Sequence, residues 1–245
     1  MKRYLVTVQY DGTNFFGWQK QNSFRTVQEE LEKALTGLFH VETQCFGASR
    51  TDRGVHALCQ KAVFDAKTTI PAEKIPLAII KYLPEDITVS DCREVDPEFN
   101  PRFEVKRKTY RYTIYNSEFR DPLRRNYTEF VRDKLDIQKM QLAAEAFLGE
   151  HDFKGFCSAH TSAKTTVRTI YDISVSKDNE NEISIYVTGN GFLYNMVRII
   201  AGTLIFVGQG KIDPEKMPEI IESGDRKRAG KTAGPAGLCL IDSVL

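Results

Sequence analysis

Cysteine is scarce and unpaired in this chain of 245 residues. Cys45, Cys59, Cys92, Cys157 and Cys239 are odd in number and scattered, with no Cys-x-x-Cys and no accompanying histidine spacing. That excludes a disulfide framework and a zinc ribbon, and points to buried, reduced thiols in a cytoplasmic protein. Long apolar runs are missing as well. The longest, Phe192 to Val207, is interrupted by Asn195 and Arg198 and is too short to cross a bilayer. The start, Met1-Lys2-Arg3-Tyr4-Leu5, has no apolar stretch of the kind a secretion signal carries, so no membrane association is expected. Nor is there an excess of charge: 34 Lys and Arg face 33 Asp and Glu, a net charge of +1. Taken alone, that balance argues against a nucleic-acid binder, which is usually basic.

What is present fits a folded α/β protein. A chain with 41% apolar and 27% charged residues is neither disordered nor fibrous, and its length allows one large domain or two small ones with true cores. Residues 4–10 alternate as a strand and close on the Asp11-Gly12 turn signal. Thr26 and Glu29 form a capping box ahead of Val27, Leu31, Ala34, Leu35 and Leu38 at helical spacing. Strand-like runs follow at 41–46 and 60–64, then a helix opening near Pro71 and a strand at 86–92. The resulting β-α-β-β-α-β order is that of a ferredoxin-like unit.

The second half repeats this order. Strands are predicted at 109–115, 167–176 and 183–188. One helix is capped by Asp136, with Ile137, Met140, Ala144, Phe147 and Leu148 on one face and Gly149 stopping it; another spans 192–207. The expected fold class is therefore α+β: two ferredoxin/RRM-like subdomains, 1–103 and 104–245, with a mainly antiparallel sheet. The near-zero charge is also uneven. Between Arg102 and Lys134 there are ten Lys and Arg against five Asp and Glu, and Arg226 to Lys231 adds four cations and no acid. Balance overall conceals basic segments suited to one face of the molecule.

Four segments carry candidate chemistry. The first, Cys45 to Ala57, is rich in small residues and follows a strand, as a tight loop open to a ligand does. Asp52 lies between Arg50 and Arg53, an arrangement that keeps a carboxylate ionised; an Asx turn with surface ion pairs reads equally from the same residues. His56 is a base candidate, or simply a hydrogen-bonded histidine. The second, Arg102 to Tyr112, interleaves cations with aromatics: Lys106, Arg107 and Arg111 for phosphates, Tyr110 and Tyr112 on one strand face for bases. Its plainer reading is a solvated edge strand. The third, Gly189-Asn190-Gly191 ahead of a helix, is a weak anion-site signal. Within that helix Arg198 interrupts an apolar face, either paired with a carboxylate, for which Asp52 is the candidate, or reaching out to solvent. The fourth, Gly230-Lys231-Thr232, imitates the end of a P-loop but lacks the required glycine five residues before Gly230, where Asp225 stands.

The loop Gly47-Ala48-Ser49-Arg50-Thr51-Asp52-Arg53-Gly54-Val55-His56-Ala57 resembles the catalytic signature of the tRNA pseudouridine synthase A family. Tyr10 to Gln19, Arg102-Phe103 with Tyr110-Arg111-Tyr112, Gly149 to Phe153, Met196-Val197-Arg198 and Gly237 to Leu240 follow in that family's order, so the likeness covers nearly the whole chain. Ser49 and Arg53 depart from it, standing where the family usually has Gly and Ala. The resemblance implies the pseudouridine synthase fold with a central active-site cleft. It also implies isomerisation of uridine at positions 38, 39 and 40 of the tRNA anticodon stem-loop, by a homodimer that needs no metal or organic cofactor. Asp52 then matches the catalytic aspartate, Arg50 the arginine that displaces the target base, Tyr110 the tyrosine packed on the uracil, and Arg198 the cation beside the aspartate. Arg53, Lys106, Arg107 and Arg111 are further candidates for RNA contact.

The chemistry suits such residues. Breaking N1–C1′ leaves C1′ electron-poor and the uracil anionic. A carboxylate can attack or stabilise C1′, or remove the 2′-proton, and C5 must finally lose its proton to Tyr110 or to a water. Two rivals use the same residues. A non-catalytic RNA-binding pair of RRM-like units leaves Asp52 and Arg198 unexplained, and a hydrolytic glycosidase needs a second carboxylate that the loop does not offer.

Overall fold

The N-terminal segment is built on antiparallel strand pairings. The computed structural model describes residues 1–159 and 163–245, which divide into two units, Met1–Lys106 with Cys239–Leu245 and Arg107–Leu238.

In the first unit β1 (Lys2–Tyr10) lies between β3 (His56–Ala66) and β4 (Ile87–Val95), antiparallel to both, and the short β2 (Cys45–Gly47) pairs antiparallel with β3. Helix α1 (Val27–Phe39) starts where the capping box places it, with Thr26 Oγ1 accepting from the Glu29 N–H. Its predicted face is the buried one: Val27, Leu31, Ala34 and Leu35 are all in the core. Pro71 is followed by a short 3₁₀ turn and then α2 (Ile75–Ile79). The predicted β-α-β-β-α-β order is thus present, and α3 (Pro101–Glu104) closes the segment. The alternation of β1 predicts a half-buried strand, yet Tyr4 to Val8 are buried throughout. As the inner strand it has neighbours on both edges, and Thr7 is covered by Lys61, whose Nζ donates to its hydroxyl at 2.7 Å.

The second unit is built on β5 (Arg107–Asn116), with β6 (Glu129–Val131) parallel to it. Asp136 caps α4 (Ile137–Glu145), its side-chain Oδ1 accepting from the Lys139 N–H at 3.1 Å. The predicted helix to residue 148 stops a turn early, and Leu148 is exposed. Strands β7 (Gly149–Asp152), β8 (Val167–Lys177) and β9 (Glu182–Gly189) complete an antiparallel order β5-β9-β8-β7. The apolar α5 (Met196–Gly208) and the shorter α6 (Met217–Ser223) follow. The sequence predicts α5 from residue 192, but Asn195 takes a left-handed conformation (φ 62°) that interrupts the helix before Met196. Gly189-Asn190-Gly191 therefore does not lie at a helix N-terminus. Asn190 instead exchanges hydrogen bonds with Thr169.

The last strand, β10 (Leu238–Val244), has all but its first residue in the first unit, where Cys239 and Leu240 pair in parallel with His56 and Ala57. The division at 103/104 assigned this strand to the second subdomain; a strand pairing non-locally with a residue far back in the chain leaves no such mark in a linear pattern. Each unit is α+β with a mainly antiparallel sheet.

Candidate active site

The loop between β2 and β3 is pinned on both sides of Asp52. Before it, the Ala48 N–H donates to Lys61 O (2.8 Å), and Gln60 Nε2 donates to Ser49 O (2.6 Å). At its shoulder, Thr51 Oγ1 shares a buried hydrogen bond of 2.8 Å with the Tyr10 hydroxyl, and Thr51 O accepts from the Trp18 N–H at 3.1 Å. After it, the Val55 N–H closes a turn onto Asp52 O (3.1 Å), and the Gly54 N–H reaches Phe15 O at the same distance. Asp52 itself is half-buried.

The partner of this loop is the segment Tyr10 to Trp18, for which sequence reading gave no role beyond the resemblance. Two glycines let it approach. A Cβ on Gly12 would lie 2.0 Å from Val55 O, and one on Gly17, at φ 90°, would lie 2.4 Å from Thr51 O. Across the loop, the Trp18 ring occupies the place of a side chain at Gly47, where a Cβ would come within 2.5 Å of it. The aromatic and glycine-rich composition of Tyr10 to Trp18 was the signal available. His56 belongs to this framework: it is buried, and its Nδ1 accepts the Gly12 N–H at 3.0 Å.

The two arginines flanking Asp52 behave differently from expectation. Both are exposed, and among the described residues neither pairs with a carboxylate. Arg53 lays its guanidinium over the Phe16 ring, 4.2 Å from the centroid.

In the second unit Tyr110 is buried on β5 and meets the edge of Phe192, with centroids 5.2 Å apart at 89°. Tyr112 lies on the same face, and its hydroxyl donates to Gly234 O at 2.8 Å. Burial, with Glu129 next in effect, pushes its pKa well above the ordinary value. Arg111 faces the other side of the sheet, in a cleft of about 310 Å³ lined also by Arg124, Tyr127, Asp178 and Glu182. The strand alternation thus separates Arg111 from Tyr110. Lys106 and Arg107 are exposed at the unit boundary, Lys106 Nζ donating to Phe103 O (2.8 Å).

Arg198 is half-buried on α5 and oriented by its neighbours. Nε donates to Ala233 O and Nη1 to Asn195 Oδ1, both at 2.7 Å. The Ala233 N–H returns a bond to Arg198 O (3.1 Å), which fastens the segment after the basic loop to the helix. Asn195 Nδ2 is tied to Ser158 Oγ at 2.9 Å, so its side chain orients Arg198 instead of capping the helix.

Comparison with known proteins places these features in a family. The family profile described as tRNA pseudouridine synthase matches residues 6–104 and 143–244. The chain is 50% identical over 244 residues to tRNA pseudouridine synthase A of Caldicellulosiruptor bescii, with both sequences fully covered. It is 48% identical over 242 residues to that of Acetivibrio thermocellus, with 99% of each covered.

Proposed function

This chain belongs to the tRNA pseudouridine synthase family, an isomerase family, and on that footing we propose that it converts uridine to pseudouridine at positions 38, 39 and 40 of the tRNA anticodon stem-loop, with Asp52 as the catalytic carboxylate. The observation that carries the reading is the Asp52 loop, held by hydrogen bonds at Ala48, Ser49, Thr51, Gly54 and Val55 while its carboxylate residue stays half-buried. A reacting group needs that combination of fixed backbone and access.

In this reading the target uridine leaves its stack, at a cost of about a few kcal/mol, offset by stacking and phosphate contacts. Arg50 helps displace it. Tyr110 packs on the uracil, and Arg198 is the cation that keeps Asp52 ionised. The detached uracil turns and rejoins C1′ through C5, and the C5 proton is released. Arg53, Lys106, Arg107 and Arg111 contribute to RNA binding. The fold that fits is the pseudouridine synthase fold of two ferredoxin/RRM-like subdomains, and the acting species is a homodimer bound to tRNA in the cytoplasm, without a cofactor.

Tritium release from tRNA carrying 5-tritiated uridine tests the reaction. Wild-type protein releases tritium and the Asp52→Ala variant does not, while both bind tRNA. Release by Asp52→Ala removes Asp52 from the mechanism; free uracil and abasic RNA would mark a hydrolase. Sequencing the products for pseudouridine at 38, 39 and 40 tests the positions, and a sedimentation mass of twice 27.9 kDa tests the dimer.

A further inference from the structure

Beside the Asp52 loop the surface carries a three-layer stack. The Phe16 ring has the Arg53 guanidinium 4.2 Å from its centroid and the Phe24 ring also at 4.2 Å, tilted by 25°. Two planar groups that close to one ring cannot share a face, so Phe16 lies between them. The support is rigid: the Phe16 N–H donates to Arg25 O (2.9 Å), Gln21 Nε2 donates to Phe16 O (3.1 Å), and Gln21 and Phe24 form a β-bridge. Yet the stack is not core. Phe24 is 44% exposed, and Arg53 is exposed.

An exposed arginine ordinarily turns to a carboxylate or to water. Arg53 is held over the Phe16 ring instead, and among the described residues no acid pairs with it. Its outer face is therefore a planar, cationic and weakly hydrated shelf, a surface on which nucleobases stack. Arg53 follows Asp52 in the chain, so the shelf belongs to the same loop as the candidate carboxylate. We propose that the Arg53–Phe16–Phe24 stack is a second nucleobase site, which takes the base adjoining the displaced uridine. The proposal rests on the reading of Asp52 as the catalytic carboxylate of a tRNA-modifying enzyme. It adds a binding role for planarity, distinct from the charge of Arg53.

The distinction is testable because lysine keeps the charge and loses the plane. Two anticodon stem-loop RNAs are prepared with 2-aminopurine immediately 5′ or immediately 3′ of the target uridine. Wild-type protein quenches one of them on binding. Both Arg53→Lys and Arg53→Ala abolish the quench and raise KM about tenfold, as expected for a lost base–side-chain stack, while the dependence of binding on salt keeps the wild-type slope in Arg53→Lys. Quenching of neither RNA overturns the proposal. So does wild-type behaviour of Arg53→Lys, which would reduce Arg53 to a phosphate contact, with a salt slope lowered by about one in Arg53→Ala. The underlying reading fails differently, through tritium release by Asp52→Ala, so the two failures are separable.

Discussion

The hydroxyl of Tyr10 and Oγ1 of Thr51 lie 2.8 Å apart in a buried hydrogen bond, and Thr51 precedes Asp52. Removing one partner leaves the other hydroxyl unsatisfied in the interior, which costs about 1–3 kcal/mol. Tyr10→Phe is therefore expected to lower the denaturation midpoint and to slow single-turnover tritium release, with tRNA affinity unchanged. Adding Thr51→Val removes the orphaned group and should recover much of the stability but little of the rate. Full-rate turnover by Tyr10→Phe would show that this bond does not position the loop.

Elements with local signals were legible in the sequence. The Thr26 and Asp136 caps, the helix face from Val27 to Leu35 and the strand at 109–115 all lie in adjacent residues and follow from local periodicity. Asp52 and Arg198 stand out as candidates for a related reason, since a carboxylate in a glycine-rich loop and a cation on an apolar helix differ from their neighbours. The rest depends on tertiary contact. The pairing of β10 with His56 and Ala57, the left-handed Asn195 that delays α5, and the turning of Arg53 onto Phe16 each involve partners that no window of sequence contains. Tyr10 to Trp18 shows only a strand end and a turn signal in the sequence because its partner, the Asp52 loop, begins thirty residues after Trp18.

Arg198 presents a planar group to two acceptors, Ala233 O and Asn195 Oδ1. Lysine carries the charge but not the fork, so Arg198→Lys should retain only part of the activity and Arg198→Met less still. If the cation keeps Asp52 ionised, the acid limb of the pH–rate profile should move to higher pH in Arg198→Met. Single-turnover rates between pH 5 and 8 measure this, and an unshifted profile with unchanged turnover would remove Arg198 from that role.

Arg3 and Asp65 face each other across β1 and β3 in a bidentate pair, Nε to Oδ1 and Nη2 to Oδ2, both at 2.8 Å. The Arg3 hydrogen bond, with its charge adding to it, holds the Asp65 carboxyl below its ordinary value of 3.8. A carboxylate depressed in the folded state contributes stability that is complete above the unfolded pKa and lost as pH falls through the folded one. Asp65→Asn should thus cost about 1 kcal/mol near pH 7, as a well-formed but partly exposed pair does. The difference from wild type should shrink as the pH drops below 3.8. Urea midpoints at neutral and acid pH test it; a gap that widens in acid would refute the assignment.

Gly202 is where helix α5 meets the segment after the basic loop. A Cβ there would sit 1.8 Å from the carbonyl oxygen of Lys231, and one on Gly230 would meet Gly202 O at 2.5 Å. Thr203 secures the same contact, its hydroxyl donating to Ile199 O (2.7 Å) and accepting the Gly230 N–H (2.9 Å). Alanine is the better helix former by about 1 kcal/mol, so an isolated helix would gain from Gly202→Ala. Here the obstacle is backbone, which cannot rotate aside, and overpacking of this kind costs roughly 1–3 kcal/mol. The segment must move, and Ala233 O, which orients Arg198 Nε, moves with it. The variant should therefore melt lower and also turn over more slowly at temperatures where it remains folded. A melting temperature raised by the substitution would mean that helix propensity dominates and that the segment is not held against α5 in solution.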